Sequence, residues 1–453
     1  MPKGSYSVIF KQKINSFNKN IEVDSDKSIS IRSFLIGSIS NGISEISNVL
    51  ESDDVNSTIH CLSKKLNVKI KKIGKKKYHI FGKGLGSLYS KKNVSLNFGN
   101  SGTCARLLVS ILSTTPGINV RITGDKSLCS RNMNELIKIM NKFGASFYPK
   151  NKVNLPLKMV SSDMPLAINY KAGVSSQLKS SVILASANAF GKSTIIESKN
   201  VQSRDHTENI LLKNSKIIKI KKNKNENIIK VYGKKYIDSL KYSVFGDPSS
   251  ASFYASLALL TPGSYLKIKN VGLNPKRIGF FNLMKMHGAK IIYANVKKNK
   301  INELVGDIHV KSSKLKPIKG SAKIYPSMPD EYPISFVVAA LTPGTHIFKG
   351  ISELSNKESS RAVEMKKILK QIGIKCKLNK NEMKIFGTNK IKKKLIKVSN
   401  LGDHRICMSA AVLALISSCP ARIKGFETVK TSSPNFLKTL KILGGKFEIK
   451  KSS

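Results

Sequence analysis

The chain has 453 residues, 40% of them apolar, and a formal net charge of +52. That length exceeds one ordinary core, so two or three domains are expected. No apolar run is long enough to span a membrane, and Met1 to Val8 has no apolar h-region, so a cytoplasmic protein with neither membrane segment nor signal peptide is expected. The charge comes from 70 lysines and nine arginines spread along the whole chain, with few aromatics near the lysine runs. It is a diffuse field and not a footprint, which argues against specific nucleic-acid binding.

Taken in order, the helix starts attract polar groups. Asp26-Lys-Ser-Ile-Ser-Ile-Arg32 opens a helix expected over Ile29 to Ile39, with Lys27, Ser28 and Arg32 near its start. Val94 to Phe98 reads as a strand, followed by a tight turn and a helix from Cys104 to Leu112. Asn100, Ser101 and Thr103 can cap that helix. Gly102 lets a ligand approach the backbone, and Arg106 can add a guanidinium to an anion held at the helix start. Gly124 to Arg131 precedes a helix over Met133 to Phe143. Ser175, Ser176 and Gln177 open an apolar helix with neutral donors. Ser203-Arg-Asp-His-Thr-Glu208 carries more polar groups than a helix start requires. Lys216 to Lys235 alternates as a hairpin, with its turn at Asn223 to Asn227.

In the second half, Asp247 is a cap candidate for a buried helix from Phe253 to Leu260. Asp330 and Glu331 precede an apolar helix from Ile334 to Leu341. A carboxylate there is a cap or a general base. Lys357 and Arg361 are expected at i and i+4 on one helix face, beside Glu358. Asp403-His-Arg405 precedes a helix from Ile406 to Leu415.

A helix, a Gly or Asn, then a short alternating strand recurs six times at a spacing of about 75 residues, as expected of copied βαβ-type units. Six such units divide into two domains of three. Arginine is scarce, so each one marks a place where planar, bidentate geometry is useful. Six of the nine (Arg32, Arg106, Arg131, Arg204, Arg361, Arg405) fall in the helix-start motifs. The sum is an anion-seeking site for small substrates with two anionic groups. There is no Walker loop, dinucleotide fingerprint, CxxC pair or metal-ligand cluster, so no cofactor and no metal is expected.

As a set, these motifs resemble the EPSP synthase family, the 3-phosphoshikimate 1-carboxyvinyltransferases. The matching stretches are Lys27 to Arg32, Asn100 to Thr103 with Arg106, Gly124 to Arg131, Ser175 to Gln177, Arg204 to Glu208, Gly246 to Ser250, Asp330 to Pro333, Lys357 to Arg361 and Asp403 to Arg405. They keep the family's order, and the Arg-Asp-His-Thr-Glu and Asp-Glu-Tyr-Pro forms are similar to its class II branch. The resemblance implies an α/β fold of two inside-out domains, each of three βαβαββ units. Residues 1–23 and 245–453 would form one domain and 24–244 the other, with the active site in the cleft between them.

The resemblance also implies a site. Phosphoenolpyruvate would meet Lys27, Asn100, Gly102, Thr103, Arg131, Gln177, Arg361 and Arg405. Shikimate 3-phosphate would meet Ser28, Arg32, Ser175, Ser176, Gln177, Arg204, Asp330 and Lys357. Asp330, Glu358 and Lys27 are the acid–base candidates in an addition–elimination through a tetrahedral intermediate, carried out by a monomer without cofactor. Glyphosate occupies the phosphoenolpyruvate site in this family, and some class II relatives carry Ala where this chain has Gly102. The chain departs from the family at Ser360 (usually Asp), at Asn132 (usually Pro) and at Thr431 to Pro434. In that last segment Thr431 stands where some relatives place a lysine, so Lys430 is not assigned a contact. The rival readings are the sister enolpyruvyl transferase acting on UDP-N-acetylglucosamine and a non-catalytic polyanion-binding relative.

Overall fold

The computed structural model describes residues 4–91 and 93–451. The expectation about a leader falls partly on Met1 to Lys3, which lie outside the described residues. Six helices are buried nearly all round: Lys27–Ser38, Gly102–Ser113, Ser176–Asn188, Pro248–Leu260, Tyr332–Ala340 and His404–Ser417. Their sequences explain this. They mix aliphatic residues with small ones such as Ser, Ala and Gly, and a helix without a polar face is stable only inside a core. Several of the serines bond back within their own helix. Ser33, Ser110, Ser256 and Ser335 each donate to the carbonyl four residues back, at 2.7–2.8 Å. Five of the six begin at a side-chain cap: Asp26, Ser101, Ser175, Asp247 and Asp403.

Among the described residues the strands form six four-stranded sheets of one design. In the sheet around Val94–Asn97, that strand runs parallel to Asn119–Thr123, which pairs antiparallel with Leu157–Val160, which in turn pairs with Ser146–Tyr148. A parallel pair needs a crossover, and Gly102–Ser113 supplies it. Two sheets close the same pattern with distant strands. Tyr6–Phe10 sits between Ala421–Ile423 and Phe447–Lys451, and Lys241–Ser243 lies parallel to Ile43–Ser47.

The chain divides into two compact units. The first gathers the described residues of Met1–Asp24, Gly246–Lys297 and Leu304–Ser453; the second gathers Ser25–Phe245 and Lys298–Glu303. Lys298–Glu303, the tip of the hairpin between Lys290–Lys298 and Leu304–Lys311, therefore departs from the sequence-based division. Glu303 explains it: its carboxylate lies 2.8 Å from His206 Nδ1 and accepts from Asn209 Nδ2 at 3.0 Å. No helix among the described residues is long and apolar enough to cross a membrane.

Candidate active site

In the second unit, the turn after Val94–Asn97 is made by Gly99, whose φ of +57° disfavours a side chain. Ser101 Oγ caps the following helix by accepting from Cys104 N at 3.2 Å. The other two cap candidates are thereby left for other work. Asn100 donates to Asp125 at 2.8 Å and accepts from Arg131 Nη2 at 2.6 Å. Thr103 Oγ1 accepts from Gln177 Nε2 at 3.0 Å, and Gln177 Oε1 accepts from Arg106 Nη1 at 2.9 Å. Arg106 thus orients Gln177, where the sequence suggested a direct anion contact. A Cβ on Gly102 would stand 2.8 Å from Arg106 Nη1 and 2.9 Å from Arg131 Nη1. The short helix Lys126–Cys129, absent from the sequence reading, delivers Arg131 to this place.

Lys27 is held by Asp54, Nζ to Oδ2 at 2.9 Å, with both side chains largely buried. Arg32 donates to Thr207 at 2.9 Å, to Ser180 at 3.1 Å and to the Ser28 carbonyl at 3.2 Å. Burial is the main cause that pulls its guanidinium down to about 10. Ser175 caps its helix by accepting from Leu178 N at 3.3 Å; Ser176 and Gln177 are half-buried at the same helix start. Arg204 is 9% exposed.

In the first unit, Arg361 is the centre. Its Nε donates to Asp403 Oδ2 at 3.0 Å, its Nη2 to Glu358 at 2.6 Å and its Nη1 to Asp330 at 3.3 Å. Burial alone would lower its basicity, but Asp403, Glu358 and Asp330 outweigh burial and raise it. Lys357 Nζ also reaches Asp330, at 3.3 Å. The expectation that Lys357 and Arg361 share a helix face is corrected. Lys357 ends a short 3-10 turn, Ser352–Asn356, in extended backbone, and the helix Arg361–Gln371 begins only at Arg361. Asp330, not helical spacing, brings the two cations together. Arg405 is 3% exposed, and its Nε and Nη1 have no hydrogen-bond partner among the described residues. Its guanidinium carbon sits 5.7 Å from the Phe253 ring centre. Buried cationic donors left unmatched at a helix start suit an anionic ligand.

The sequence pattern of EPSP synthase (3-phosphoshikimate 1-carboxyvinyltransferase) matches residues 11–440. The chain belongs to the EPSP synthase family. It is therefore a transferase of the enolpyruvyl transferase fold. It is 35% identical over 426 residues to the 3-phosphoshikimate 1-carboxyvinyltransferase of Paramagnetospirillum magneticum, covering 94% of each chain. With that of Caldicellulosiruptor bescii it shares 38% over 428 residues, covering 94% of this chain and 96% of the relative. Among solved structures it resembles EPSP synthase from Acinetobacter baumannii, with a TM-score of 0.83 at 30% identity over 98% of this chain and all of that one. An enolpyruvyl transferase from Streptomyces tendae shares the fold alone, with a TM-score of 0.75 at 11% identity over 99% of this chain and all of that one.

Within each unit the expected residues of this EPSP synthase family member gather as sets. Lys27, Ser28 and Arg32 share one helix; Asn100, Gly102, Arg131 and Gln177 are joined through hydrogen bonds or close approach. Asp330, Lys357, Glu358 and Arg361 form the other set, with Arg405 joined to it through Asp403. Sequence reasoning missed the anchors. Asp54 lies in a stretch with no motif, and Asp125 lies in the Gly124 to Arg131 motif without being singled out there. Asp403 was read only as part of a triplet, yet it accepts Arg361, Ser359 and the Arg405 backbone N–H at once. Arg277, which the arginine count left aside, joins Glu331 at 2.8 Å and Asp247 at 3.1 Å. The scarcity of carboxylates, 27 acidic residues against 79 basic ones, was the available signal.

Proposed function

We propose that the chain transfers the enolpyruvyl group of phosphoenolpyruvate to the 5-hydroxyl of shikimate 3-phosphate. The hydroxyl oxygen bonds to C2 of phosphoenolpyruvate as its proton passes to Asp330, and C3 receives a proton from Glu358 or Lys27. C3 then gives up a proton while the C2–phosphate oxygen bond breaks, releasing inorganic phosphate. The observation that carries this reading is the placement of two carboxylates on one buried arginine. Asp330 and Glu358 both contact Arg361, and both stay partly accessible, at 23% and 14%. A base and an acid held by one fixed cation are pre-organised for proton traffic at adjacent atoms.

Arg405, Arg361, Arg131 and Lys27 supply positive charge for phosphoenolpyruvate, with the Asn100–Thr103 turn against its phosphate. Arg32, Arg204, Ser175, Ser176 and Gln177 supply donors for shikimate 3-phosphate, and Ser28 and Lys357 are assigned to the same substrate. The reaction belongs to aromatic amino acid biosynthesis, and the chain works as a cytoplasmic monomer, which sedimentation checks at assay concentration. The deciding assay is phosphate release from phosphoenolpyruvate with either shikimate 3-phosphate or UDP-N-acetylglucosamine as acceptor. Turnover with the first is expected. Turnover with the UDP-sugar alone, or with neither, refutes the reading.

A further inference from the structure

Lysine is this chain's default surface residue, yet among the described residues one lysine is fully buried. Lys179 sits on the helix Ser176–Asn188, two residues past Gln177, with an exposure of 0%. Its Nζ lies 2.6 Å from Glu197 Oε1 and 2.7 Å from Glu208 Oε1, and both glutamates are 1% exposed. It also donates to the Ser203 carbonyl at 3.4 Å. Glu197 in turn accepts from Ser203 N at 3.0 Å, Ser203 Oγ at 3.2 Å and Asn227 at 3.3 Å.

The cluster joins three segments. The first is the helix start with Ser175, Ser176 and Gln177. The second is the loop in which Ser203 directly precedes Arg204. The third is the helix His206–Asn214, where Glu208 follows Thr207. Thr207 and Ser180, the neighbours of Glu208 and Lys179, hold the Arg32 guanidinium at 2.9 and 3.1 Å and bond each other at 2.8 Å. The residues of the second unit assigned above to shikimate 3-phosphate thus lie on the segments this cluster ties together or are bonded to them, Ser28 through its carbonyl to Arg32.

Stability alone gives a poor account of the cluster. A buried ion group costs desolvation, and apolar or neutral replacements of equal volume are often as stable. Burial by itself would lower the ammonium's basicity; Glu208 and Glu197 reverse this, so Lys179 stays charged in the fold. We infer that Lys179, with Glu197 and Glu208, is a positioning group that fixes Arg204, Arg32 and the Ser175–Gln177 helix start for the sugar phosphate. This rests on the functional reading above.

The test replaces the whole cluster by neutral groups of similar shape, Lys179→Met with Glu197→Gln and Glu208→Gln, so that no lone charge is left buried. Melting is followed by circular dichroism. Binding of shikimate 3-phosphate is read by calorimetry, since the chain has no tryptophan to report it. We expect a folded protein whose dissociation constant for shikimate 3-phosphate rises about tenfold or more, with the KM for phosphoenolpyruvate within about twofold. Wild-type affinity in the folded triple variant overturns the inference. If the triple variant does not fold, Glu208→Gln decides. It keeps the Lys179–Glu197 pair, and unchanged affinity there overturns the inference equally. No binding by the unmutated chain overturns the functional reading and this inference with it, whereas binding by the wild type and all variants alike overturns this inference only.

Discussion

Gly102→Ala is the most discriminating single change at the phosphoenolpyruvate set. The new methyl would lie 2.8 Å from Arg106 Nη1 and 2.9 Å from Arg131 Nη1. Comfortable carbon contacts begin near about 3.5 Å, so each guanidinium must retreat by roughly 0.6 Å. Both are ends of long side chains, so the fold can yield. What they lose is register: Arg131 against Asn100 at 2.6 Å and Arg106 against Gln177 at 2.9 Å. A charged hydrogen bond contributes about 1.5–3 kcal/mol, and partial loss of one or two weakens ligand binding by roughly tenfold. Against this, Gly102 opens a helix, where alanine is favoured by up to about 1 kcal/mol. The expected result is a KM for phosphoenolpyruvate raised about tenfold, a weakened inhibition constant for glyphosate and a melting temperature within a few degrees of the parent. Steady-state phosphate release with and without glyphosate, beside a thermal melt, measures all three. An unchanged glyphosate inhibition constant, or a collapsed melting temperature, refutes the reasoning.

Asp330→Asn should fold normally, since Asp330 is partly exposed, and should lose about 10²–10⁴ in kcat with little change in KM if it is the base. Retained kcat would exclude that role. Glu358→Gln should also cut kcat while Arg361 stays anchored by Asp403, and an unchanged turnover number would remove it from the proton path. Arg405→Lys should raise the KM for phosphoenolpyruvate about tenfold and leave shikimate 3-phosphate affinity intact, because an ammonium cannot present the two unmatched guanidinium donors. His346 is fully buried, with Nδ1 accepting from Ile318 N and Nε2 facing the Thr342 carbonyl. Burial chiefly lowers its basicity. Below pH 6.5 or so the unfolded chain takes up a proton that the fold refuses, so stability falls as pH drops through that value. Urea midpoints at pH 7.5 and 5.0 should differ more for the parent than for His346→Gln; equal differences would count against this.

The fold was legible because its signals are local and repeated. Capped apolar starts such as Asp26 and Ser101, and glycine stops such as Gly144, specify helices whatever surrounds them, and six copies reveal the units. Boundaries were less legible. The helix at Gly102 begins two residues before the expected Cys104, since Ser101 and not Thr103 takes the cap. In the site, residue types were readable but partnerships were not. Lys357 and Arg361 meet through Asp330, 27 and 31 residues away, and Lys27 meets Asp54 across 27. No periodicity encodes such pairs. They depend on how the helices pack.

The lysine excess sharpens this picture. Seventy lysines against nine arginines show that lysine is this chain's usual cation. The nine arginines that remain are mostly where water is excluded. Arg32, Arg204, Arg277, Arg361 and Arg405 are buried, and Arg106 and Arg131 are half-buried within hydrogen-bond networks. Only Arg121 and Arg422 lie exposed, on strands. A guanidinium offers five donors in a fixed plane and is less strongly hydrated than an ammonium. Arg361 uses that plane to hold three carboxylates at once, which three rotating ammonium protons on a flexible stem would hold less rigidly. Lys179 is the converse. Two glutamates and a carbonyl lie within reach of its one nitrogen, which carries three donors on a compact point charge. The surface of this protein thus records composition, while the choice between arginine and lysine inside it records geometry.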